Sequence, residues 1–235
     1  MEKKIPFESG LYYHEILKAN SDTILFLDDE DRRFFRNKMR FFILPCCEIL
    51  SYVILGNHVH LLIRPHPTLV LSRLSIQYHL MDLNLYASDL EEYLREDYIL
   101  ELPPGLTPFE GSVDEQIRAC IRGLKHSYSQ YQAKKYERTG MQWNPERFTK
   151  LLGDKDDIGR TVLYIHKNPV YHGMVHQPEE WQFSSFHEIR NREDRLVRSG
   201  LVLDIFGHND QFLQEHVALP GDYGRKPSRM RLKVS

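Results

Sequence analysis

The sequence predicts a mixed α+β fold. Three stretches carry that expectation. Residues 46–55 and 58–64 read as two apolar, β-branched strands around a Gly56-Asn57 turn. Residues 115–135 place Ile117, Cys120, Ile121, Leu124, Tyr128 and Tyr131 at helical spacing. A shorter helix over 158–167 is capped by the acids of 154–157 and ended by the Asn168-Pro169 step.

The remaining elements follow in order. Residues 9–18 can form a first strand, with Tyr13 and Glu15 on one face and Tyr12, His14 and Ile16 on the other. His14 reads there as a surface or core residue, not a ligand. Asp28–Asp31 offer cap oxygens and first-turn acids to a helix over 29–42, whose apolar stripe holds Phe34, Phe35, Met39 and Phe42. Another helix is expected over 69–85. The acidic, proline-broken stretch 86–115 reads as an insertion, and 148–152 as a short strand. Residues 187–219 hold one or two short helices, and 191–235 form an extension with a basic tail.

Bulk properties exclude several classes. The chain has 235 residues, enough for one large domain with an insertion. Its apolar runs are too short to span a bilayer, and its first residues lack a signal-peptide core. Three cysteines, two of them adjacent, imply no disulfide framework and suit a reducing cytoplasm. A net charge of −2 does not announce a nucleic-acid binder. Basic residues nonetheless crowd 118–150, and a near-neutral chain can carry a basic groove.

The chemistry concentrates on four residues. His58 and His60 are two apart on a strand, so both imidazoles face one way. Alone they are too few to fix a metal and read equally well as histidines beside a hairpin. Tyr164 and Asn168 are four apart on a helix and share a face. Aimed at the histidines, an Asn168 oxygen would complete a divalent-cation site and Tyr164 would be a nucleophile toward a phosphodiester. The alternative is that Tyr164 packs and Asn168 caps the helix. Tyr128 and Tyr131 are rival nucleophiles, with packing or base stacking the competing roles. Arg122, Lys125, Lys134 and Lys135 are candidate phosphate contacts. His126 and His166 could serve as acid or base, or simply pack.

Several runs resemble the REP-associated tyrosine transposases of the single-tyrosine HUH superfamily. They are Gly10-Leu-Tyr-Tyr-His14, the segment Ile24–Arg32, Tyr52-Val-Ile-Leu-Gly-Asn-His58-Val-His60-Leu-Leu62, Tyr128-Ser-Gln-Tyr131, Tyr164-Ile-His-Lys-Asn168-Pro-Val170, Gly173-Met-Val175 and Trp181-Gln-Phe-Ser-Ser-Phe186. The resemblance covers about 9–190. It departs from the family at Leu55-Gly56, Lys18-Ala19-Asn20 and Gln132-Ala133, and in the length of the acidic stretch.

The resemblance implies a ferredoxin-like sandwich, an antiparallel sheet with helices on one face. It implies metal ligation (Mg²⁺ or Mn²⁺) by His58, His60 and Asn168, and a Tyr164 nucleophile. The implied partner is single-stranded or hairpin DNA, cleaved and rejoined through a 5′-phosphotyrosine by a monomer or homodimer. Two rivals stay open: a catalytically silent nucleic-acid-binding regulator of the same descent, and a metal-dependent phosphodiesterase that uses water.

Overall fold

Strand β3 (His58–Pro65) is almost wholly buried and has a strand on either side. The computed structural model of the chain describes residues 5–20, 23–44, 46–66, 111–138, 142–146 and 148–217. These form β1 (Tyr12–Lys18), α1 (Asp29–Phe42), β2 (Cys47–Ile54), β3, α2 (Val113–Tyr136), β4 (Phe148–Leu152), α3 (Lys155–Tyr171), a 3₁₀ turn at Pro178–Glu180, α4 (Phe186–Arg190), α5 (Ser199–Phe206) and α6 (Asn209–Val217). The four strands make one antiparallel sheet in the order β2-β3-β1-β4. The expected α+β class and antiparallel sheet are present. The expected helix over 69–85, most of the insertion at 86–115 and the basic tail lie outside the described residues.

Local chemistry accounts for the elements. Asp28 caps α1 by accepting from the Asp31 N–H at 2.9 Å, while Asp31 accepts from the Leu27 N–H at 2.8 Å. The β2–β3 turn is clamped by its neighbours. The Gly56 carbonyl accepts from the Leu25 and Phe26 N–H groups, and the Asn57 carbonyl from the Ala19 N–H. Helix α2 starts on a Ser112–Glu115 capping box and packs against α1. Between them Tyr128 meets the rings of Phe26, Phe35 and Trp143. The outer edge of β2 is covered by the segment around Ser184. Ile54 N–H donates to the Phe183 carbonyl, and Ser185 N–H to the Tyr52 carbonyl. An open strand edge is thereby closed.

Three expectations need correcting. The helices do not share one face of the sheet. Glu15 lies within the field of Lys125 on α2, whereas its neighbour His14 touches the ring of Tyr164 on α3. Adjacent strand residues point to opposite faces, so α2 and α3 cover opposite faces. Both faces of β3 are buried and both require cover.

Helix α3 does not end at Asn168. It runs through Pro169 to Tyr171, and His172 is the C-cap, its N–H donating to the Asn168 carbonyl. The proline lies close to the end of the helix, where few later turns depend on its missing donor.

Cys46 and Cys120 form a disulfide that ties the start of β2 to α2, leaving Cys47 as the free thiol. Sequence spacing could not reveal a pair 74 residues apart. Closing a loop of that size contributes about 4 kcal/mol in the chain-entropy account. Alkylation in denaturant should therefore add one group per chain before reduction and three after it, as read by intact mass. Three adducts without reductant would contradict the pairing.

Candidate active site

The site grows from the register of β1 on β3. Ile16 stands opposite His60, and His14 opposite Leu62, so His14 and His60 are diagonal neighbours on one face. Their rings stack at 5.0 Å, and His14 Nε2 lies 2.8 Å from His60 Nδ1. His58, on the same face, has its ring centroid 4.9 Å from that of His60, and its Nδ1 lies 2.6 Å from Asn57 Oδ1. An amide oxygen only accepts, so His58 Nδ1 carries the proton and its Nε2 is the unprotonated nitrogen.

Helix α3 brings the other half. The Tyr164 ring lies 5.5 Å from His60 and 5.9 Å from His14, edge-on to both. It remains 37% exposed and so can meet a large substrate. One turn on, Asn168 is buried beside His58, and its amide raises the proton affinity of that ring. Two buried polar atoms here have no hydrogen-bond partner: His60 Nε2 and Asn168 Oδ1. Buried polar atoms left in this state cost about 1–3 kcal/mol each.

The structure thus brings together all four residues singled out for chemistry. His14, read from sequence as an ordinary strand residue, belongs to the same cluster. So does His172, which sequence reasoning did not single out; its ring lies 5.3 Å from His58. Burial holds His14 and His58 down to about 4, with Lys150 adding to the effect on the first and His172 on the second. His60 is pushed well below the usual histidine range by burial and then by its histidine neighbours. Neutral imidazoles are the form that binds a metal.

Among the described residues no group of three or more His, Cys, Asp or Glu side chains is arranged to hold a metal ion. His58, His60 and Asn168 form instead a set of two imidazoles and one amide. His60 Nε2 and Asn168 Oδ1 are the donors such a set would use, and both lack a partner in the protein. The residues therefore fit a divalent cation with mixed nitrogen and oxygen ligation.

The expected DNA contacts fare differently. Tyr128 is fully buried and donates to the Leu25 carbonyl at 2.8 Å, so it packs and cannot stack on a base. Tyr131 stacks on Phe34 at 4.0 Å and donates to Asp31. Lys135 is ion-paired with Asp28, Glu30 and Asp31. Lys125 lies over Trp143 and donates to the Asn144 carbonyl. Arg122 and Lys134 are exposed. All six sit on α2, which covers the face of the sheet opposite Tyr164.

His166 is an anchor. It is fully buried, with Nδ1 2.8 Å from His216 Nε2 and Nε2 2.7 Å from Ser185 Oγ. His216 Nδ1 lies 2.6 Å from the Phe212 carbonyl. The carbonyl only accepts, so His216 donates from Nδ1 and accepts at Nε2, and His166 donates from Nδ1. Lys167 Nζ donates to the Glu215 carbonyl at 2.9 Å. The helix carrying Tyr164 and Asn168 is thereby tied to α6.

The comparisons with known proteins agree with the motifs. No family model matches the chain. One Haemophilus influenzae protein, named as a candidate REP-associated tyrosine transposase, is 38% identical over 53 residues. An Escherichia coli REP-associated tyrosine transposase is 40% identical over 45 residues. These matches cover 23% and 19% of this chain, and 30% and 27% of those relatives. The chain therefore matches less than a third of their length. Among solved structures, a REP-associated tyrosine transposase bound to a REP hairpin aligns over 82% of this chain and 86% of its own, at 18% identity and a TM-score of 0.48.

The buried histidines make stability depend on pH. Burial holds His216 at about 4 and His166 well below the usual range. The unfolded chain takes up these protons near pH 6.5, the folded chain only near 4 or lower. Their contribution is complete above about 6.5 and is lost as pH falls from there toward 4, roughly 3 kcal/mol for His216 alone. Glu15, pushed up to about 7 by burial, works in the opposite sense between about 4.5 and 7 and offsets part of the loss. Urea midpoints should fall between pH 7.5 and 5, and His216→Phe should flatten that slope. An unchanged slope in the variant would refute the neutral pair.

Proposed function

We propose that the chain is a DNA strand transferase of the REP-associated tyrosine transposase kind, acting on single-stranded or hairpin DNA. The reading rests on one observation above the others. An exposed tyrosine stands against the buried His14 and His60 rings, one helical turn from an amide oxygen that has no partner. The sequence resemblance, strongest around Tyr164–Val170, supports the same reading, as do the two partial matches to relatives of that name.

In this reading Tyr164 attacks the phosphorus of a phosphodiester. A bond forms from the phenolic oxygen to phosphorus, and the bond from phosphorus to the 3′-oxygen breaks. The phenol gives up its proton and the departing 3′-oxygen gains one, leaving a 5′-phosphotyrosine and a 3′-hydroxyl. The 3′-hydroxyl of a second strand reverses the step and joins the strands. His58, His60 and Asn168 would hold a divalent cation, Mg²⁺ or Mn²⁺, which when bound supplies positive charge to the phosphate oxygens. The edge-on His60 and His14 rings orient Tyr164, and the His166 and Lys167 contacts hold its helix in place. Neutral imidazoles keep their lone pairs available at physiological pH.

A labelled single-stranded hairpin from DNA flanking the gene tests this. With Mg²⁺ or Mn²⁺, a denaturing gel should carry a covalent protein–DNA band. Tyr164→Phe, which lacks the nucleophilic oxygen, should abolish it, and so should EDTA. Cleavage without the band would instead favour water as nucleophile. Binding without cleavage would favour a regulator.

A further inference from the structure

We propose that His14 is a positioning residue that fixes the tautomer of His60, leaving the His60 Nε2 lone pair free for a cation. The proposal rests on the functional reading above in one respect, that the lone pair is used for metal binding. The geometry of the pair stands independently of it.

His60 has two ring nitrogens, and the structure treats them differently. Nδ1 is engaged by His14 Nε2 at 2.8 Å, and Nε2 is buried with no partner. A neutral imidazole carries one proton, on one nitrogen or the other. If His14 donates in the contact, His60 must hold its proton at Nε2, as a buried donor with no acceptor and no capacity to bind metal. If His14 accepts, the His60 proton sits at Nδ1 and Nε2 is a bare lone pair. Asn168 Oδ1 is also a buried acceptor without a partner, and both residues adjoin His58. Unsatisfied acceptors are tolerated more readily than orphaned donors, and a cation would satisfy both atoms together. The second arrangement is therefore the consistent one.

His58 provides an internal parallel. There Asn57 Oδ1 accepts the hydrogen bond from Nδ1–H. Each histidine then has an acceptor behind its Nδ1, supplied by a neighbouring residue in one case and a neighbouring strand in the other. Outer partners of this kind set ring orientation and tautomer in metal sites, and their loss typically costs 10–100-fold in affinity. The strand register holds His14 in place, because it sits on β1 between Leu62 of β3 and Lys150 of β4.

The test reads the proton directly. Long-range ¹H–¹⁵N correlation spectra of the full chain, labelled at histidine and free of metal, should show His60 protonated at Nδ1. In His14→Phe, with no acceptor, the proton should move wholly or partly to Nε2, and Mn²⁺ affinity should fall 10–100-fold by calorimetry. His14→Gln, whose Oε1 can accept, should keep the Nδ1 proton and stay within a few-fold of the unaltered chain. A His60 proton at Nε2 in the unaltered chain would overturn the proposal. So would a folded His14→Phe with unchanged tautomer and affinity. Should His14→Phe not fold, the spectra of the unaltered chain and of His14→Gln decide. If the tautomers are as stated but no Tyr164–DNA adduct forms, the functional reading fails and this one stands.

Discussion

The pairing of β1 with β3 is the constraint on which the rest depends. The register sets His14 diagonal to His60 and, on the opposite face, Glu15 opposite Leu61. A slip of one residue would exchange the faces of every side chain in the strand. Were β1 to slip, His14 would meet the α2 layer and the buried Glu15 carboxyl would meet Tyr164. The register is held by apolar burial on both faces, with Leu17, Val59, Leu61, Leu62 and Ile63 nearly inaccessible. The geometry of the histidine cluster thus inherits its precision from the core.

The second half of the site depends on a different force. Helix α3 is held by burial of Val162 and Ile165 and by polar contacts at His166 and Lys167 that reach α6, Ser51 and Ser185. His166 and Asn168 are both buried, while Tyr164 faces the histidines and retains exposure. Anchoring residues and residues of the candidate site therefore alternate along one helix, and any shift of the anchor shifts the tyrosine.

Much of this was legible in the sequence because it is periodic or local. The hairpin, the caps at Asp28 and Asp154 and the two helices show in spacing and cap residues. So does the shared facing of His58 and His60, and of Tyr164 and Asn168. What escaped depends on distant partners. His14 looks like any strand histidine until β3 is laid beside it. His172 becomes part of the cluster only because α3 continues through Pro169, against the local preference of the residue before a proline. Tyr128 and Lys135 look like ligands for nucleic acid until Phe26, Asp28 and Asp31 are brought to them. Cys46 and Cys120 are joined across a gap no spacing rule spans.

The segment around Ser185 serves two ends with one residue. Its backbone N–H and its hydroxyl pair with Tyr52 at the border of the sheet, while the same hydroxyl reaches His166 inside the α3 anchor. Shielding of a strand border and alignment of the helix that carries Tyr164 are therefore pleiotropic at this position. A substitution there cannot trade one for the other, since both fail together. Threonine would add a methyl group in a site with no accessible surface, and alanine would leave the Tyr52 N–H without its side-chain partner. Serine at this place has few permitted neighbours in sequence space, although it touches none of the groups assigned to the chemistry.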